Sequence, residues 1–253
     1  MAELRSVWPV IQNMVSQELR VRYQRSILGF VWSLLNPILM MITMTVVFSR
    51  VLGRGEPAYA IYLFSGLVPW LFLSGSLTES AYCIIQNEGL IRKIYIPKLV
   101  FPVSRVLFNL VNFLLTLGAL FLLLIPLGAK LSLAMLFLPV SIVLFGVFVL
   151  GLSIGLAVLN TFYRDCGHLV GVFLQAWYFM TPILYSTRDL ETIPLFVKLN
   201  PAYPFIAQFQ AIIRYGVLPS GSMILGSLIL ALACLGVGYA AFKSHEDKLV
   251  FRL

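Results

Sequence analysis

Residues 131–163 read LSLAMLFLPVSIVLFGVFVLGLSIGLAVLNTFY, lie between Lys130 and Arg164, and contain no Asp, Glu, Lys or Arg. A helix rises about 1.5 Å per residue and a bilayer's hydrocarbon core is about 30 Å thick, so about 20 apolar residues cross it. Lipid offers the backbone no hydrogen-bond partner, and the run lacks the alternation of a barrel strand. A membrane-spanning helix is therefore expected.

The same pattern recurs on both sides. Spans are expected at 26–49, 57–78, 106–129, 133–163, 166–187 and 217–242 of the 253 residues. The chain is 60% hydrophobic and 11% charged, with a mean hydropathy of +0.95. An ordinary soluble domain carries about 25% charge, so a water-facing surface is not available here. The expected fold is an all-α integral membrane protein forming one transmembrane domain over 1–253. It has six transmembrane helices, an N-terminal interfacial helix and short re-entrant outer helices.

The net charge of +8 is read as topology rather than nucleic-acid binding, because no basic face with interleaved aromatics lies outside the spans. With the N-terminus inside, twelve basic residues fall on the inner side: Arg5, Arg20, Arg22, Arg25, Arg92, Lys93, Lys98, Arg105, Arg164, Lys243, Lys248 and Arg252. Six fall outside: Arg50, Arg54, Lys130, Arg188, Lys198 and Arg214. Both termini are therefore expected in the cytoplasm. Residues 1–25 lack the apolar core of a signal peptide, so the first span is expected to remain as an anchor.

Three segments outside the spans are informative. Residues 1–25 suggest a cytoplasmic interfacial helix: Pro9 can open it, and Val10, Ile11, Met14, Val15 and Leu19 fall on one side. The loop at 84–98 suggests a short protruding helix ending before Pro97, or a solvated loop whose charges only enforce topology. Residues 188–214 are too apolar for a solvated loop, and Pro194, Pro201 and Pro204 cut them into pieces too short to span. They are read as two short helices dipping into the outer leaflet, a candidate outer gate.

Catalytic chemistry is sparse. There is no phosphate-binding loop and no His, Cys or Ser constellation at motif spacing. Cys83, Cys166 and Cys234 read as apolar fillers, and His168 and His245 do not suggest a metal. Arg164, Asp165 and His168 are read as an ion pair capping a bend, with a catalytic pair as the competing reading. Gly151 and Gly155 suggest a close helix approach, between subunits or within one. Aromatic residues are plentiful, and Trp and Tyr anchor helices at membrane interfaces. The competing reading is a pore lining on which sugar rings stack.

Several stretches then resemble one family. They are Arg22-Tyr23-Gln24-Arg25-Ser26-Ile27-Leu28-Gly29-Phe30-Val31-Trp32 closed by Asn36-Pro37, Ser65-Gly66-Leu67-Val68-Pro69-Trp70, and Asn87-Glu88-Gly89-Leu90-Ile91-Arg92-Lys93-Ile94-Tyr95-Ile96-Pro97-Lys98. Asn160-Thr161-Phe162-Tyr163-Arg164-Asp165, Thr181-Pro182-Ile183 and Asn200-Pro201 continue the match. Together they resemble the permeases of type-two ABC exporters of O-antigen, capsule or teichoic acid chains.

The resemblance implies a homodimer in the bacterial inner membrane, with two copies of a separate ATPase subunit docked beneath. ATP and Mg would be held by that partner, with no cofactor, catalytic residue or metal in this chain. The cargo would be a glycan on a polyprenyl diphosphate lipid. Asn87, Glu88, Gly89, Arg92, Lys93 and Tyr95 would couple to the ATPase. Trp32, Tyr59, Tyr62, Trp70, Phe72, Trp177, Tyr178 and Tyr185 would line the glycan channel, and Phe196, Phe205 and Phe209 would form the outer gate. Arg20, Arg22 and Arg25 would meet the lipid diphosphate, or else hold anionic lipid heads. Two rivals stand beside this: an ABC permease for a small molecule or drug, and a membrane glycosyltransferase, which would need an acidic or metal-binding cluster.

Overall fold

The computed structural model describes residues 2–23, 31–51, 57–93, 96–124, 132–186, 194–249 and 252. Among these residues every regular element is helical. The helices are α1 (Ala2–Tyr23), α2 (Val31–Val51), α3 (Pro57–Gln86), α4 (Glu88–Ile91), α5 (Val100–Leu124), α6 (Leu138–Phe162), α7 (Asp165–Met180), α8 (Leu195–Lys198), α9 (Tyr203–Ile213) and α10 (Gly221–Leu249). A short 3-10 turn at Leu133–Phe137 leads into α6. Four described stretches are long and apolar enough to cross a membrane: Tyr59–Gln86, Val100–Leu123, Leu133–Phe162 and Gly221–Leu249.

α3 is the central post, packed on α5, α6, α7 and α9. At 30 residues it is roughly 45 Å long, which exceeds the hydrocarbon thickness. It therefore runs past Glu79, the residue that closed the expected span at 57–78. A charge marks where lipid ends, not where a helix must. α5 likewise begins at Val100, ahead of the expected 106, and carries Arg105 within the helix. Pro102 sits in its first turn, where the missing N–H has no helical partner to lose. Pro9 does not open α1 but lies inside it. Ile11, Met14, Val15 and Leu19 form the more buried side of α1, and Gln12, Asn13, Ser16 and Arg20 are exposed.

α6 and α10 make the closest approach. A methyl group built on Gly238 would overlap the Gly151 carbonyl oxygen, and one on Gly151 would overlap the Cys234 carbonyl carbon. One built on Gly155 would touch the Gly238 Cα at 3.8 Å. The small-residue pattern is thus used within one chain. A polar rivet ties the same two helices further along. Ser141 Oγ donates to Gln208 Oε1 at 3.0 Å, and Gln208 Nε2 donates to Ser227 Oγ at 2.6 Å, joining α6, α9 and α10.

Two cores result. The larger is phenylalanine-rich: Phe72 stacks on Phe113 with centroids 5.1 Å apart, and Phe148 stacks on Phe205 at 4.6 Å. The smaller lies at the end of the bundle that carries α1. There Ile84, Phe101, Phe242 and Leu249 are buried, with Met14 of α1 and Leu90 and Ile91 of α4 packed against them.

Candidate functional site

α7 has 16 residues and so reaches only about 24 Å, short of a bilayer. It breaks at Thr181-Pro182-Ile183, and the exposed carbonyls there need partners. α3 and α9 supply them. The single Tyr62 hydroxyl proton is shared between Pro182 O at 2.9 Å and Tyr185 O at 2.7 Å, and Tyr59 Oη donates to Leu184 O at 2.9 Å. Gln210 Nε2 donates to Pro182 O at 2.9 Å. Asn200, just before α9, is the hub on the other side. Its Oδ1 accepts from Trp177 Nε1 at 2.7 Å and from the Ala202 amide at 2.9 Å, and its Nδ2 donates to Thr181 Oγ1 at 2.9 Å.

The expected channel residues are divided by this arrangement. Trp70 packs edge-on against Trp177 with centroids 5.8 Å apart and lies 5.6 Å from Tyr178. These three adjoin the break that Tyr59, Tyr62 and Tyr185 enclose. Tyr62, Trp70 and Trp177 are buried within the chain, whereas Tyr59, Tyr178 and Tyr185 are half-buried. Phe72 is separate, 3% exposed in the phenylalanine core, because residues two apart on a helix do not share a face. Trp32 lies in α2, and its side chain is outside the described residues. The expected gate is divided too. Phe205 and Phe209 are buried with Phe72's neighbours, whereas Phe196 is 45% exposed. Phe196 lines an open apolar groove of about 920 Å³ with Phe173, Leu156 and Val237, between α6, α7, α8 and α10.

At the α1 end, α3 stops at Gln86 and Asn87 starts the single turn of α4. Asn87 Nδ2 donates back to Cys83 O at 2.7 Å. Leu90 and Ile91 anchor the turn in the smaller core, leaving Gly89, Arg92 and Lys93 exposed. Arg92 Nη2 and Glu88 Oε1 are 2.7 Å apart, one helical turn along. Tyr95 lies outside the described residues. Of the expected diphosphate residues, Arg20 is exposed on α1. The Arg22 side chain and all of Arg25 lie outside the described residues.

Beside α4 is a polar cluster that the sequence did not bring together. Arg105 Nη1 lies 3.1 Å from Glu18 Oε1, with the two side chains 21% and 18% exposed. Arg105 Nη2 donates to Gln86 Oε1 at 3.4 Å. Asn109 Nδ2 donates to Glu79 Oε2 at 2.7 Å and to Arg105 O at 3.0 Å. Glu18, Glu79, Asn87 and Arg105 line a cavity of about 470 Å³. Burial raises the Glu18 carboxyl above its ordinary range; Arg105 opposes the shift, and Glu79 adds to it.

A second polar joint lies at the α6–α7 bend. Asn160 is buried, donates to Ala81 O at 2.8 Å and accepts from the Gly167 amide at 2.6 Å. The expected ion pair at this bend is absent among the described residues. Asp165 and His168 are both exposed, and Asp165 sits in the first turn of α7, where the helix dipole favours it. No group of three or more metal-binding side chains forms among the described residues.

The family model for the ABC-2 type transporter matches residues 9–213. The chain is 31% identical over 239 residues to an O-antigen export system permease protein, RfbA, of Myxococcus xanthus, covering 93% of this chain and 92% of the relative. It is 31% identical over 205 residues to RfbA of Klebsiella pneumoniae, covering 80% and 79%. Similarity to the polysialic acid transport protein KpsM of Escherichia coli is 20% over 248 residues, covering 95% of each chain.

Proposed function

The chain belongs to the ABC-2 type transporter family, and from that premise we propose that it is the permease of a polysaccharide exporter. One observation carries the reading: the match to an O-antigen export permease runs over 93% of the chain. A small-molecule permease shares the architecture, but the relatives named above are O-antigen export permeases and a polysialic acid transport protein. The glycosyltransferase reading requires a metal-binding cluster, and none forms among the described residues.

In this reading the chain crosses the bacterial inner membrane six times. α2 and α7 join the four longer spans, with the break after Met180 completing the depth of α7. The α1 end faces the cytoplasm and holds both termini. Two copies form the channel, and two copies of a separate ATPase subunit, carrying ATP and Mg, dock against α4. Glu88, Gly89, Arg92 and Lys93 offer the contacts, while Leu90 and Ile91 tie the turn to the smaller core. Movement of α4 therefore displaces α3, α5 and α10 together.

The cargo is a glycan on a polyprenyl diphosphate lipid. Arg20, exposed on α1, would meet the diphosphate, because a guanidinium donates paired hydrogen bonds to phosphate. The half-buried rings of Tyr59, Tyr178 and Tyr185 would line the passage, with Trp70, Trp177 and Tyr62 buried behind them. α8 and α9 form the outer gate, pinned to the end of α7 through Asn200.

Depletion of this chain in its own cell tests the proposal. The expected result is loss of surface glycan with accumulation of lipid-linked glycan on the inner face. Normal surface glycan after depletion overturns it.

A further inference from the structure

Resting on the permease reading, we propose that Arg105 is a positioning residue that makes α1, the foot of α5 and the coupling turn α4 move as one body. Its side chain bridges three helices where force would enter. One guanidinium nitrogen meets Glu18 of α1 and the other meets Gln86, the last residue of α3 before α4. Asn109, one turn along α5, fastens the same site to Glu79 on α3.

The energetics favour positioning over general stabilisation. An exposed ion pair contributes little. This pair is mostly buried, so desolvation offsets much of its attraction, yet removal of one partner strands the other charge. The net contribution of the pair to stability is therefore small. The cluster is instead specific: a guanidinium at 105 meets one carboxyl and one amide, from two other helices, at once. α5 is the main packing partner of α1, so loss of this bridge releases α1 from the path between α4 and the spans.

The test uses the full complex of permease and ATPase in proteoliposomes, with assembly, ATP turnover and glycan export each measured. R105E and E18R should each assemble and hydrolyse ATP, while export per ATP falls about fivefold or more. The double variant E18R/R105E should regain at least about threefold over the worse single variant, because the bridge is restored with its charges exchanged. Arg105→Lys keeps the charge and loses the fork, so it should fall between wild type and R105E; this milder variant decides the matter if the reversals do not assemble. Unchanged export per ATP in the assembled single variants overturns the inference. So does a double variant no better than the worse single, or R105K equal to wild type. If the wild-type complex moves no glycan at all, the failure belongs to the permease reading instead.

Discussion

Trp177 Nε1 donates to Asn200 Oδ1 at 2.7 Å, and that bond joins the last turn of α7 to the connection between α8 and α9. The same oxygen accepts the Ala202 amide, so Asn200 satisfies two buried donors with one acceptor. Asn200→Ala leaves both unpaired and is expected to cost about 3 kcal/mol. Trp177→Phe deletes one donor and leaves Asn200 engaged, so its hydrogen-bond loss should be nearer 1 kcal/mol. Thermal unfolding in detergent checks the order; an N200A protein as stable as wild type would remove the hub from the account.

The contact of α6 with α10 admits no added carbon. Gly151→Ala and Gly238→Ala each place a methyl group against backbone, which cannot swing aside as a side-chain tip can. Each should cost about 1–3 kcal/mol or more as the helices part. Gly236 on α10 meets nothing within 4 Å, so Gly236→Ala should be neutral or stabilise by up to about 1 kcal/mol. The same unfolding measurement separates the three.

Four long helices were legible because each contains an uncharged run long enough to identify lipid as its solvent, whereas the run at 166–187 did not show that α7 would end at Met180. Neighbours were not, because a helix apolar all round does not announce which face meets protein. Gly151 and Gly155 marked a close approach but not that α10 would fill it. Glu18 and Arg105 sit far apart in sequence, and nothing local pairs them. Trp70 and Phe72 were both expected to line the channel, but within one large core they meet different neighbours, Trp177 and Phe113, as 3.6 residues per turn requires. The usable signal was the amides inside apolar segments: Asn109, Asn160 and Gln208 bridge helices, and Gln210 ties α9 to the break after α7.

The Glu18 carboxyl is raised in the folded protein, chiefly by burial. The unfolded chain then ionises first as pH rises, so the folded state binds more protons between the ordinary and the raised values. By linkage, Glu18's contribution to stability is fully present below about pH 4.5, the ordinary value, and is lost as pH rises through the raised value. Glu18→Gln cannot ionise and removes this dependence. The melting temperature of wild type minus that of E18Q should therefore fall from pH 4 towards neutrality. A difference that grows with pH would mean that Arg105's attraction outweighs burial.

Glu88 and Arg92 form an exposed pair within α4, with side chains 35% and 59% exposed. Such a pair contributes only about 0.2–0.5 kcal/mol, so Glu88→Ala and Arg92→Ala should leave the melting temperature nearly unchanged. If these side chains instead serve the ATPase interface, each substitution should lower export about tenfold while ATP hydrolysis continues. The reversed pair E88R/R92E distinguishes the two roles. It restores the bond inside α4 but presents the wrong charges to a partner. Export that stays low in the reversed pair places the function of these residues between subunits. Export that recovers would mean that the bond within α4 is all they provide.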